Sequence, residues 1–146
     1  MEYEYSIEID RGVEDVFAYM QDIEREAEWQ PNLREAVQRP PGEPAVGTER
    51  RYVSEFLGKT FRNVYVFTGY EPNRRVAYES TPESDTRASG MITWESLNGG
   101  TRVTMRVSVQ PGGLLRFVPR SLIASVGERE LAHALARVKA NLENPT

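Results

Sequence analysis

Residues 101–143 read TRVTMRVSVQPGGLLRFVPRSLIASVGERELAHALARVKANLE, and the change of hydrophobic period inside this stretch decides the fold. Val103, Met105, Val107 and Val109 alternate with Arg102, Thr104, Arg106 and Ser108, the period of a strand with one buried and one wet face. Pro111-Gly112-Gly113 breaks that strand, and residues from about 114 to 143 read as one long helix. Ile123, Gly127, Leu131, Ala134, Leu135, Val138 and Leu142 fall on a single stripe of it. A long helix that follows a run of strands buries its stripe on their sheet. A sheet curled around one helix leaves a space between them, and the side chains facing that space decide what the protein does.

Working back from this stretch, strands are expected at about 48–57, 59–71, 75–81, 86–97 and 101–109. Leu57-Gly58-Lys59, Glu71-Pro72-Asn73 and Asn98-Gly99-Gly100 join them as short turns, so the sheet reads as an antiparallel meander. Before it, the Pro40, Pro41, Gly42, Pro44 and Gly47 cluster marks the one substantial loop, preceded by a weak strand at 33–39. Tyr3, Tyr5, Ile7 and Ile9 alternate with acidic and small polar residues as a first strand. A short helix over 12–21 follows, with Asp10 able to cap it and Val13, Val16, Phe17 and Met20 at helical spacing. Asp22 through Trp29 reads as a second short helix that ends at Trp29-Gln30-Pro31.

Leu115, Val118, Leu122 and Val126 form a second apolar stripe on the other side of the terminal helix. Either the first third of the helix is apolar on two faces, or Pro119 offsets two parts so that both stripes point inward. The stripe is then extra packing near the mouth of the sheet, or a contact surface for a homodimer partner, a membrane or a ligand portal.

The 146 residues fit one domain, 1–146, with a core of its own. With no Cys, disulfides, thiolate nucleophiles and Cys-based zinc sites are excluded. No stretch approaches the length of a membrane span and residues 1–20 lack a secretory pattern, so the expectation is a cytoplasmic protein with no integral membrane segment. The net charge of −4 argues against nucleic acid as partner.

The order strand, two short helices, six strands and long helix carries Ile7-Glu-Ile-Asp10, Val16-Phe17, Asp22, Trp29-Gln-Pro31, Gly47, Tyr70-Glu-Pro72 and Thr101-Arg-Val-Thr104. In that order and spacing the chain resembles the START-like (SRPBCC) superfamily, and within it the polyketide cyclase/dehydrase and lipid-transport family. The resemblance implies an α+β helix-grip (Bet v 1-like) fold, a seven-stranded antiparallel sheet curled around the C-terminal helix over a deep, largely apolar cavity. It implies a ligand without naming one, since members carry lipids, sterols, hormones or polyketide intermediates and some catalyse cyclisation or dehydration.

On the strand faces expected to point inward lie Phe61, Asn63, Tyr65, Phe67 and Gly69, then Tyr52, Ser54 and Phe56, with Tyr78, Trp94, Met105 and Val107. Such a lining suits a flat or elongated apolar molecule oriented by a few hydrogen bonds, or else fills itself as core. The candidate ligand contacts are Trp29, Tyr52, Phe56, Asn63, Tyr65, Phe67, Tyr78, Trp94, Met105, Phe117 and Ile123. Asn63 is the most informative, because a buried amide meets a ligand, Ser54 or a trapped water. Trp29 either guards the entrance, as the family resemblance implies, or anchors a helix to the core.

His133, the only histidine, falls on the polar side of the helix, which removes a Ser-His-carboxylate triad and leaves no set of metal ligands. Glu8, Glu55, Glu79 and Glu95 alternate with Arg51, Arg62, Arg102 and Arg106 on the expected outer face, where ion pairs are worth about 0.2–1 kcal/mol each. No paired ionisable groups are expected on a buried face, and no catalytic residue, metal or cofactor is assigned. Three readings follow: a binder of a hydrophobic or aromatic small molecule, an aromatase/cyclase or dehydratase-type enzyme using Tyr65, Asn63 or Tyr78, and an accessory module for a larger enzyme.

Overall fold

The computed structural model describes residues 1–110, 112 and 115–144. Strand β1 (Glu2–Ile9) leads through Gly12 into α1 (Val13–Gln21), a 3-10 turn (Ile23–Arg25) and the short α2 (Glu26–Trp29). There follow β2 (Leu33–Arg39), β3 (Glu49–Phe56), β4 (Lys59–Glu71), β5 (Arg75–Ser80), β6 (Arg87–Leu97), β7 (Gly100–Gln110) and α3 (Arg120–Glu143). The seven strands form one antiparallel sheet in the order β1-β7-β6-β5-β4-β3-β2. The chain therefore enters at one edge, crosses to the other by way of the two short helices, and returns strand by strand. The α+β helix-grip architecture expected from the sequence is the one observed.

Turn chemistry accounts for the meander. Leu57 and Gly58 have φ of 52° and 74°, and Asn98 and Gly99 have 44° and 86°, the paired positive values of tight hairpin turns whose twist matches the flanking strands. The outer face carries ion pairs: Arg102 meets Glu8 at 3.1 Å as expected, while Arg106 and Glu55 pair with residues not named for it, Glu4 at 3.0 Å and Arg34 at 3.0 Å.

The inner face and α3 enclose the core. Ile123, Gly127, Leu131, Ala134, Leu135 and Val138 are buried along α3, the stripe read from the sequence. Gly127 is there because Tyr3 of β1 crosses the helix at that point, and a Cβ would overlap the Tyr3 ring. At its C-terminal end α3 is tied to the β1–α1 connection: Asp10 N donates to Glu143 Oε2 at 2.7 Å, Arg11 Nη1 to the Leu142 carbonyl at 2.7 Å, and Lys139 Nζ to the Glu8 carbonyl at 2.8 Å. Asp10 is thus engaged by its backbone with α3, and the N-cap of α1 is Gly12.

Three expectations change. The last helix begins at Arg120 rather than near 114: Pro119, at ψ 139°, caps it, and its carbonyl accepts from Leu122 N and Ile123 N at 3.1 Å. Pro111, Gly113 and Leu114, where the break and the helix start were placed, lie outside the described residues. Leu115 to Val118 form a tight turn instead, closed by Val118 N to the Leu115 carbonyl at 3.0 Å. The offset at Pro119 splits the second stripe: Leu115 is buried beside Phe61, Val109 and Ile123, Val118 packs on that cluster, and Leu122 is 45% exposed. Finally, β4 carries a bulge between Phe67 and Gly69. Beyond it the faces exchange, so a Cβ at Gly69 would meet the Arg75 guanidinium, while Tyr70 turns inward onto Phe17 and Phe67.

Candidate functional site

Between the sheet, α2 and α3 lies a cavity of about 260 Å³. Successive strands supply its wall at alternate positions, because every second side chain points inward. β3 contributes Arg50, Tyr52, Ser54 and Phe56; β4 contributes Asn63, Tyr65 and Phe67; β5 contributes Val76 and Tyr78. Ile92 and Met105 close the far side, and Gly127, Glu130 and Leu131 of α3 form the roof. The rim is made by Gln30, Pro31, Asn32 and Leu33, where α2 passes into β2, and Asn32 Nδ2 donates to Glu130 Oε2 across it.

A second chamber of about 160 Å³ lies nearer the β3–β4 turn. Phe61, Val107, Val109, Leu115 and Ile123 line it, and it shares Tyr3, Ser54, Phe56, Asn63 and Tyr65 with the first. Together the two chambers reach the lower part of the range of about 300–1,000 Å³ typical of small-molecule sites.

Tyrosines dominate the wall. Tyr52, Tyr65 and Tyr78 stand across three neighbouring strands with ring centroids 5.8 Å and 5.2 Å apart. Burial pushes the Tyr65 hydroxyl up to about 12, with a hydrogen bond from Asn63 opposing the shift. Burial also raises Tyr52 and Tyr78, and lifts Tyr3 to about 12 with the Tyr65 and Glu130 charges adding to it. These hydroxyls keep their protons at neutral pH and act as hydrogen-bond donors. Asn63 Oδ1 accepts from Thr86 N at 3.0 Å, so the amide meets the backbone of the β5–β6 connection rather than Ser54.

One end of the main cavity is charged. Glu26, 6% exposed, accepts from Tyr52 Oη at 3.0 Å and Gln30 Nε2 at 3.4 Å, and pairs with Arg50 Nη1 at 3.4 Å. Arg50, 3% exposed, also donates from Nε to Gln38 Oε1 at 3.0 Å and from Nη2 to the Gln21 carbonyl at 2.6 Å. Its guanidinium lies 5.1 Å over the Phe67 ring. Burial raises the Glu26 carboxyl above its ordinary value, outweighing the opposite pull of Arg50, Tyr52 and Gln30. This pair corrects the expectation that no paired ionisable groups face inward.

Among the described residues, two buried polar atoms at this end have no hydrogen-bond partner, the Trp29 Nε1–H and Gln21 Oε1. Trp29 is 1% exposed, and a buried indole N–H normally finds an acceptor.

The structure brings most of the candidate residues together. Trp29, Tyr52, Phe56, Asn63, Tyr65, Phe67, Tyr78 and Met105 line the main cavity, and Ile123 lines the second chamber. Trp94 lies elsewhere, edge-on to Phe17 at 4.7 Å under α1. Phe117 is 85% exposed, its ring beneath Arg116, and lines neither chamber. Glu26, Arg50 and Gln21 were missed. Arg50 has the same strand parity as Tyr52, Ser54 and Phe56, so alternation alone could have found it. Glu26 sits on a helix of four residues, too short for a period to show which face is buried.

Among the described residues no group of three or more His, Cys, Asp or Glu is placed to hold a metal ion, and no helix is long and apolar enough to cross a membrane. A family model described as polyketide cyclase / dehydrase and lipid transport matches residues 1–143. No curated protein matches the sequence. Among solved structures, a START superfamily protein from Mycobacterium smegmatis is 14% identical with a TM-score of 0.81, covering 99% of each chain. A protein from Thermus thermophilus is 22% identical with a TM-score of 0.75 over 100% of both chains. The Zhui aromatase/cyclase from a Streptomyces species is 16% identical with a TM-score of 0.72, covering 97% of this chain and 95% of that one.

Proposed function

The chain belongs to the polyketide cyclase/dehydrase and lipid transport family, and from that membership we propose that it binds a hydrophobic or aromatic small molecule in its internal cavity without transforming it. The observation that carries this reading is a cavity whose middle is walled by aromatic and aliphatic side chains, among them Trp29, Tyr65, Phe67, Val76, Tyr78, Ile92 and Met105, with its paired charges gathered at one end. Rings of Tyr65, Tyr78 and Phe67 offer flat apolar surface, and a few polar groups of the same lining, such as Ser54 and Asn63, can orient a guest. The remaining ionisable groups there are engaged with each other, and the tyrosine hydroxyls hold their protons too tightly to act as bases.

A second reading, an aromatase/cyclase-type enzyme, is favoured by the Asn63–Tyr65–Tyr78 group, which brings an amide and two protonated hydroxyls together in the cavity lining. Turnover of a polyketide substrate that is lost in Tyr65→Phe while binding is kept would replace the first reading with this one.

The test is calorimetric titration of the purified protein with a naphthyl ketone, alongside a Ser54→Phe variant. Ser54 lines both chambers, so the larger ring fills the space between them. Saturable binding in the wild type and its loss in a folded Ser54→Phe protein are expected. An absence of binding, or binding that Ser54→Phe leaves unchanged, overturns the proposal.

A further inference from the structure

Resting on the reading of the cavity as a small-molecule site, we infer that it selects neutral ligands over carboxylates, and that Glu26 sets this preference. Among the described residues lining the main cavity, Arg50 is the only Lys or Arg. A guanidinium that receives a ligand carboxylate does so through a free fork of N–H donors. Here every nitrogen already has a protein acceptor: Nε has Gln38 Oε1, Nη2 has the Gln21 carbonyl, and Nη1 has Glu26 Oε1. Phe67 covers a face of the group. An incoming carboxylate is left only the second hydrogens of Nη1 and Nη2, and to reach them it would sit beside Glu26 in a region shielded from water, where like charges repel strongly. Glu130 at the rim adds a further negative charge, held by Asn32 Nδ2.

Two probes with the same ring system separate the cases: 1-hydroxy-2-acetonaphthone, neutral, and 1-hydroxy-2-naphthoate, anionic, each titrated against the full chain. The wild type is expected to bind the ketone more tightly than the acid, by about tenfold or more. Glu26→Gln keeps the side-chain volume and removes the charge facing Arg50, so it is expected to gain affinity for the acid and narrow or reverse the ratio. Glu26→Gln/Arg50→Met removes both charges and is expected to lose that gain. Equal binding of the two probes by the wild type overturns the inference while leaving the cavity reading intact. So does a Glu26→Gln protein that is folded yet gains nothing for the acid. Binding of neither probe by the wild type removes the cavity reading itself, and the inference with it. The wild-type comparison needs no variant, so it decides the matter even if Glu26→Gln does not fold.

Discussion

Glu26 and Arg50 are each nearly inaccessible to water, and each is tolerable there because of the other. Removing one partner strands a charge, so Arg50→Met is expected to cost about 3–5 kcal/mol, read as a lowered midpoint in chemical denaturation. Glu26→Leu/Arg50→Met, which removes both, is expected to cost much less than Arg50→Met alone. The pH dependence follows from the raised Glu26 carboxyl. A folded-state value above the unfolded one means that the native state holds the proton more tightly. The Glu26 contribution is therefore most favourable below the ordinary value of 4.5 and is lost as the pH rises through the raised folded value. Measured as the difference in unfolding free energy between wild type and Glu26→Gln, stability should fall with rising pH across that window, and a flat difference contradicts the assignment. Much of the aromatic wall is legible residue by residue, because strand parity places Tyr52, Tyr65, Phe67 and Met105 inside. Trp94 shows the limit: parity puts it inside as well, and the packing of Phe17 from α1 takes it out of the cavity.

At the scale of elements, α3 presses on the sheet at Gly127 and Leu115 anchors the turn before it. Alanine favours a helix over glycine by about 1 kcal/mol, yet Gly127→Ala would drive a methyl group into the Tyr3 ring. The clash is expected to dominate, with Gly127→Ala destabilising by about 1–3 kcal/mol and Tyr3→Ala relieving the clash in the double variant. Leu115 and Leu122 belong to the same sequence stripe and are expected to behave differently. Leu115→Ala, at a buried position, should cost about 2–5 kcal/mol, and Leu122→Ala, at an exposed one, less than about 0.5 kcal/mol. Thermal melts of the two variants check this. The stripe looks continuous in sequence because the helical period was carried through Pro119, whereas α3 begins only after it. The β4 bulge is hidden for a similar reason: an extra residue at Thr68 leaves no mark on the composition, yet it exchanges the faces of Gly69 and Tyr70.

For the whole molecule, a meander that wraps one terminal helix creates the cavity, and the order of periods in the sequence is enough to read that architecture. The polar end of the cavity is less legible, since it is assembled by α1, α2, β2 and β3 through Gln21, Glu26, Gln38 and Arg50, residues joined only by tertiary contact. The two tryptophans divide usefully between the cavity and the rest of the core, Trp29 lining the first and Trp94 packed away from it. The most direct test of the account is therefore the emission of Trp29 alone, recorded in a Trp94→Phe protein as 1-hydroxy-2-acetonaphthone is added. A saturable change in that emission is expected. Emission that stays constant while the ketone is bound, or a saturable change that appears instead in a Trp29→Phe protein reporting on Trp94, would contradict it.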